Sequence, residues 1–261
     1  MGNLQLLDGI PIPVVFVLIA LVTLIFYEIG FRVGRWWQIR TPGEQEATGV
    51  LVGSILGLLA FLLAVTMGMA ADRFDTRRGL VLEEANAIDT AYLRAGYLPE
   101  PARTEIRDRL REYAPLRIAT NDQDELVANI NRSVVLQNEI WAIGEDQART
   151  TSQGDLVSLF LDSVNQVIDL HESRVVAGIY SRVPETVLLL LLGGSALTLG
   201  MVGYSAGLTL RRGLISAVVL AFTLSAVLSI VIDLDRPRDG FLQVSQQPIL
   251  DVIQQIGAQS P

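Results

Sequence analysis

Thr48–Ala71 reads TGVLVGSILGLLAFLLAVTMGMAA and carries no ionisable side chain in 24 residues. At about 1.5 Å of rise per residue, a helix of that length covers about 36 Å, enough to cross a bilayer with some tilt. Small residues gather on one face. Gly49, Gly53 and Gly57 recur every four positions, and Ala60, Ala64 and Gly68 continue the strip. In lipid such a strip lets a second helix approach closely, so it is a candidate pore or helix-packing surface. The sequence then turns charged with no break signal, as DRFDTRRGLVLEEANAIDTAYLRAGYLP over 72–99. Phe74, Val81, Ile88 and Ala95 recur every seven residues, with Ala85 and Tyr92 in the turns between. That is a helix with one apolar seam. The expectation is one long rod that crosses the membrane and continues into water until Pro99.

Working outward, three more apolar runs have the length of membrane spans. The expected organisation is a first transmembrane hairpin over 1–71, with spans at about 10–31 and 48–71. A soluble helical domain follows over 72–185, then a second hairpin over 186–232, with spans at about 186–210 and 213–232. A C-terminal tail occupies 233–261. The fold class is an all-α membrane protein, with a helical-bundle soluble domain inserted between the second and third spans. The first span is not expected to be a secretory signal, because no basic run precedes it and no small-residue cleavage site follows. Glu28, four residues before Arg32, reads as an interfacial ion pair or as a pathway carboxylate. Trp36 and Trp37 among Arg32, Arg35 and Arg40 mark a membrane exit.

Within 72–185 the pattern is helical throughout. Leu98-Pro99-Glu100-Pro101 stops the rod. A second helix turns Ile106, Leu110 and Tyr113 inward and ends at Pro115. Asp122 with Glu125 signals the start of a third helix, whose expected inward residues are Leu126, Ile130, Val134, Ile140 and Trp141. Ser152 and Asp155 resemble a capping box for a fourth, lined by Leu156, Phe160, Val164, Val167, Leu170 and Val175. The tail shows an amphipathic pattern at Ile249, Val252, Ile253 and Ile256.

Composition excludes several chemistries. Cysteine is absent, so disulfides, zinc thiolates and iron–sulfur clusters are excluded. His171 is the single histidine, and all 20 basic residues are arginine, which removes any lysine-dependent P-loop or Schiff base. The net charge is −8, and 20 carboxylates against 13 arginines lie in 72–186. An acidic domain lacks the basic face that nucleic acid requires. No cofactor is expected. The partners expected are the lipid bilayer, further copies of the chain and an inorganic ion. Three arginines after the first span, and Arg211-Arg212 between the third and fourth, place those ends in the cytoplasm by the positive-inside rule. The soluble domain is then extracytoplasmic, in a bacterial inner membrane.

Three polar groupings stand out. Asp169-Leu-His171-Glu172-Ser-Arg174 is a dense cluster. It suits a divalent cation, or pairing with Arg77, Arg78 and Arg94 of the rod to fix the register of the bundle. Glu84 and Asn86 belong to the same candidate polar network. Asp233 and Asp235 close the fourth span, continuing a small-residue ridge of Ala217, Ala221, Ser225 and Ser229. They read either as selectivity acids, since rings of acids favour cations, or as local partners of Arg236 and Arg238. Gly203-Tyr-Ser205-Ala-Gly207 matches a serine-hydrolase pattern, but that pattern needs a strand–turn–helix elbow and this copy lies in an apolar span. No base, nucleophile and oxyanion donor converge, so an enzyme is not expected.

RRGLVLEEANAIDTAYLRAGYLPEP over 77–101, DLHESR before the third span and DLDRPRDG after the fourth together resemble the bestrophin-like bacterial membrane proteins, a family defined by a domain of unknown function. The resemblance covers nearly the whole chain. The residues that carry it are Arg77, Arg78, Glu84, Asn86, Arg94, Asp169, His171, Glu172, Arg174, Asp233, Asp235, Arg236 and Pro237. It implies kinship with bestrophins, pentameric chloride channels with four membrane helices and a large helical soluble part. The leading reading is an oligomeric ion channel. The alternatives are a membrane-anchored interaction or sensor module without a pore, and an intramembrane serine hydrolase using Ser205.

Overall fold

The structure, a computed structural model, describes residues 9–41, 48–150, 154–237 and 240–258. Ser152 and Arg238, read above as a cap and an ion-pair partner, lie outside them. The described residues form helices and no strand. In chain order the helices are α1 (Ile12–Arg40), α2 (Thr48–Ala95), α3 (Ala102–Tyr113), a 3-10 turn (Ala114–Arg117), α4 (Gln123–Thr150), α5 (Gly154–Ile179), α6 (Glu185–Leu208), α7 (Leu214–Asp235) and α8 (Gln247–Ala258). Four of them, α1, α2, α6 and α7, are long and apolar enough to cross a membrane. The chain divides into two compact units, Met1–Arg73 with Arg182–Leu242 and Phe74–Ser181 with Gln243–Pro261.

The first unit holds α1, α6, α7 and the crossing part of α2. Its closest packing runs between α1 and α6, where backbone meets backbone. A Cβ added at Gly30 would lie 1.9 Å from the Gly200 carbonyl oxygen, and one at Gly34 would lie 2.2 Å from that of Tyr204. From the other side, a Cβ at Gly203 would fall 2.0 Å from the Tyr27 carbonyl oxygen, and one at Gly207 2.4 Å from that of Phe31. Two glycines four apart on each helix therefore face each other, which is how membrane helices come into direct contact. This accounts for Gly203 and Gly207 of the hydrolase-like pattern as packing surface. The Ser205 hydroxyl accepts a 3.3 Å hydrogen bond from Thr48. α1 extends to Arg40, nine residues beyond the expected end of its span. Glu28 forms the expected ion pair with Arg32 at 2.9 Å, and Arg212 approaches it at 3.4 Å. The small-residue ridge of α7 is buried, from Ala217 and Ala221 through Ser225 and Ser229 to Asp233.

The second unit packs α3, α4, α5 and α8 with the remainder of α2 around one apolar cluster. The seam of α2 is buried at Val81, Ala85, Ile88, Tyr92 and Ala95, while Phe74 at its start is half-buried. α3 turns Ile106, Leu110 and Tyr113 inward, and Pro115 converts it to the 3-10 turn. Asp122 caps α4, accepting from the Asp124 and Glu125 amides at 2.9 and 3.1 Å. The expected face of α4 is corrected in part: Ile140 is buried as expected, and Leu126 and Ile130 are half-buried. Its buried stripe is Ser133, Leu136, Gln137, Ile140 and Gly144, whereas Val134 and Trp141 are exposed. α8, expected as part of a separate tail, buries Ile249, Val252 and Ile256 in this unit's core. Burying that apolar stripe removes the helix from water at about 25 cal/mol per Å².

Candidate functional site

The crossing part of α2 exposes its small-residue strip. Gly49, Gly53, Gly57, Ala60, Ala64 and Gly68 are all exposed. A Cβ built on any of the four glycines meets no atom within 4 Å. The buried positions are instead Thr48, Leu59, Leu63, Thr66 and Ala70. A wheel at about 100° per residue separates three faces. One packs inward, one carries bulky Leu51, Leu58, Phe61, Val65 and Met69, and one is the bare strip.

At the end of α7, Asp233 and Asp235 are 3% and 1% exposed. Asp235 accepts from the Val183 amide at 2.7 Å and pairs with Arg182 and Arg73 at 3.5 and 3.9 Å. Asp233 accepts from the amides of Phe241 and Leu242 at 2.9 and 3.0 Å, closing the turn after the helix. A Cβ at Gly240 would sit 2.2 Å from the Asp233 carboxylate, so only glycine fits there. The Arg236 guanidinium donates to the Ile10 carbonyl at 2.8 Å, and Arg238, the other expected partner of these acids, lies outside the described residues. Both carboxylates are thus turned into the protein and occupied.

The second unit holds a buried polar centre around Glu84, which is 0% exposed. Arg117 donates to one carboxylate oxygen at 2.7 Å, Tyr113 donates to the same oxygen at 3.3 Å, and Arg174 donates to the other. Gln137 donates to the Tyr113 hydroxyl at 3.1 Å, which explains an amide on the inward face of α4. Arg174 also bonds the Arg117 carbonyl at 3.2 Å and Gln246 at 3.3 Å. The centre therefore joins α2, α3, the 3-10 turn, α4, α5 and the segment before α8. Burial pushes the Glu84 carboxyl up, but the Arg117 and Arg174 cations outweigh it and hold it below the usual carboxylate range. Burial and the Glu84 charge push the Tyr113 phenol up. Burial and then the Arg117 cation push His171 down to about 4, so the imidazole is neutral at pH 7.

Of the candidate network, Glu84, His171 and Arg174 come together here. Asp169 and Glu172 stay exposed, and among the described residues Asp169 accepts only from Asn165, at 3.2 Å. The cluster read from the sequence is therefore split by the helix: His171 turns in and its flanking acids turn out. Among the described residues no three potential ligands converge on a metal position. The expected pairing with rod arginines is also corrected. Arg94 bonds the Leu159 carbonyl at 2.6 Å and lies 3.5 Å from Asp162. Arg77 is buried, while Arg78 and Asn86 are exposed. Sequence reasoning placed Tyr113 inward without its bond to Glu84, and missed Arg117, Gln137, Arg73, Arg182 and the Gly30/Gly34 pair. Only the last had a signal, its spacing of four inside an apolar run.

Comparison with known proteins agrees with this architecture. The chain resembles a crystal structure of a bacterial bestrophin homolog from Klebsiella pneumoniae, with TM-score 0.70 and 14% identity over 96% of this chain and 100% of that one. Two point variants of such a homolog from Klebsiella pneumoniae also match. Their TM-scores are 0.70 and 0.69 at 14% identity, over 92% and 94% of this chain and 97% of each of theirs. At that identity the likeness shows the fold. No curated protein sequence matches. The model of the bestrophin-like domain matches residues 16–249. With four membrane-length helices and that match across most of its length, the chain is an integral membrane protein that belongs to the bestrophin-like family.

Proposed function

We propose that the protein is a homo-oligomeric ion channel of a bacterial inner membrane, with the bare strip of α2 facing neighbouring copies and the conduction axis. The observation that carries this reading is the exposure of Gly49, Gly53, Gly57, Ala60, Ala64 and Gly68 along the whole crossing part of α2. A surface facing lipid needs no glycines, since bulky apolar side chains already serve it. A strip with bare backbone accommodates another helix or hydrated ions. Five copies is the number that the resemblance to bestrophins implies. Selectivity is not assigned to Asp233 or Asp235, whose carboxylates serve the turn and the Arg73 and Arg182 pairs. The charge rule supports a cytoplasmic end at Arg32, Arg35, Arg40 and the Arg211-Arg212 hairpin, with residues 72–185 outside.

Reconstitution of purified protein in planar bilayers tests the channel. The expected result is single-channel current together with a detergent particle larger than a dimer. Silence across ions and voltages, with a monomeric or dimeric particle, would overturn the reading. Sidedness is tested in this Cys-free chain by Ser158→Cys, an exposed position on α5. An impermeant thiol reagent should label it in cells whose outer membrane is permeable to the reagent. Labelling only after lysis would reverse the orientation.

A further inference from the structure

Just past the crossing part of α2 the chain reads Asp72-Arg73-Phe-Asp75-Thr-Arg77-Arg78, close to neutral as a sequence. The fold sorts these charges. Arg73 is drawn to Asp235, and Arg77 is buried at 7% exposure. Asp72, Asp75 and Arg78 are left exposed. Among the described residues neither Asp75 nor Arg78 has an ion pair, although three residues separate them on one helix. At about 100° per residue, Asp75 lies about 30° to one side of the mean direction of the small-residue strip, and Arg78 about 30° to the other. Asp72 and Glu83, both exposed, lie farther round on the Asp75 side. One flank of the α2 face is therefore acidic and the other carries a cation.

Opposite flanks of opposite sign suit a ring. In a closed ring of three or more copies each interface is heterologous, so the left flank of one copy meets the right flank of the next, all the way round. We infer that a second copy of this chain docks along α2 with Asp75 of one copy facing Arg78 of its neighbour, so that a closed circle of ion pairs sets the rotation of α2 about its own axis. Charge complementarity at this position steers assembly and suppresses other registers, since the wrong rotation brings like charges together. This deepens the channel reading and rests on its oligomer.

Charge reversal tests it. Asp75→Arg and Arg78→Asp each place like charges at every interface. Each should lower the oligomer fraction at least several-fold at low salt, measured by native mass spectrometry or detergent-corrected light scattering. The loss should shrink at high salt, because the charges are exposed and screened. The double reversal Asp75→Arg with Arg78→Asp should restore the wild-type oligomer, which no purely structural role for either residue would do. As a second measurement, chains carrying only Asp75→Cys and chains carrying only Arg78→Cys are co-expressed and oxidised. A disulfide-linked dimer containing one of each is expected. If the wild type itself is monomeric, the channel reading fails and this inference with it. If the wild type is oligomeric, both single reversals leave it intact and no mixed dimer forms, this inference alone is overturned.

Discussion

Glu84 is a single carboxylate held by two guanidiniums and a phenol inside an otherwise apolar bundle. Removing its charge leaves two buried cations without a counter-ion, and breaking such a group costs about 3–5 kcal/mol. Glu84→Gln should therefore lower the chemical-denaturation midpoint of the second unit strongly, whereas Glu172→Gln, on the exposed side of α5, should leave it unchanged within error. Acid acts here through two residues. His171 has a folded value of about 4, below the ordinary 6.5, so the unfolded chain binds the proton first. Stability falls as pH drops from about 6.5 to about 4 and the histidine contribution is then complete. Glu84, held below its usual range, adds stability above the carboxylate range and loses it as pH falls through the lowered value. His171→Phe should flatten the melting temperature between pH 6.5 and pH 4 and leave the steeper loss below it. A slope that survives the substitution would assign the acid response elsewhere.

Helix pairs show two uses of glycine in one chain. Between α1 and α6 glycine is needed for contact, and a side chain at Gly203 would strike the Tyr27 carbonyl. Gly203→Leu should destabilise the first unit by about 2 kcal/mol or more through overpacking. A Cβ at Gly53 has no atom of its own chain within 4 Å, so Gly53→Leu projects into open space. It should leave the melting temperature of the monomer unchanged and reduce assembly and ion current, and those two readouts separate the roles. On α4, the periodicity at Leu126, Ile130, Val134, Ile140 and Trp141 was readable and yet only Ile140 of the five is buried, with Val134 and Trp141 exposed. The helix carries two apolar stripes, and Gln137 with its bond to Tyr113 fixes which one turns inward. Ile140→Ala should cost about 2–4 kcal/mol as a buried truncation, while Trp141→Ala should stay within about 0.5 kcal/mol. Equal costs would contradict the observed register.

At the scale of the whole molecule, the chain leaves the second unit after Ser181 and comes back to it from Gln243 onward. Ile249, Val252 and Ile256 of α8 are buried in that unit's core, and Gln246 reaches both Arg174 and the Ala119 amide. Truncation after Leu242 should therefore make the helices of the second unit sensitive to protease while the four membrane-length helices still insert. Resistance equal to wild type would mean that α8 is dispensable. Hydropathy and helical period were enough to read the four membrane-length helices, the unbroken run of α2 and the apolar seams of α3, α5 and α8. Hydropathy and helical period are local properties and need no partner to be read. Which charges pair, which residues of α4 are buried and which glycines serve the chain's own packing depended on how distant segments meet. An ion pair or a backbone contact is a relation between distant segments, and no single stretch states whom it will meet. That is why Arg117 and Gly30 went unnoticed beside Glu84 and Gly203, and why Asp233 and Asp235 are buried and bonded rather than lining an open exit.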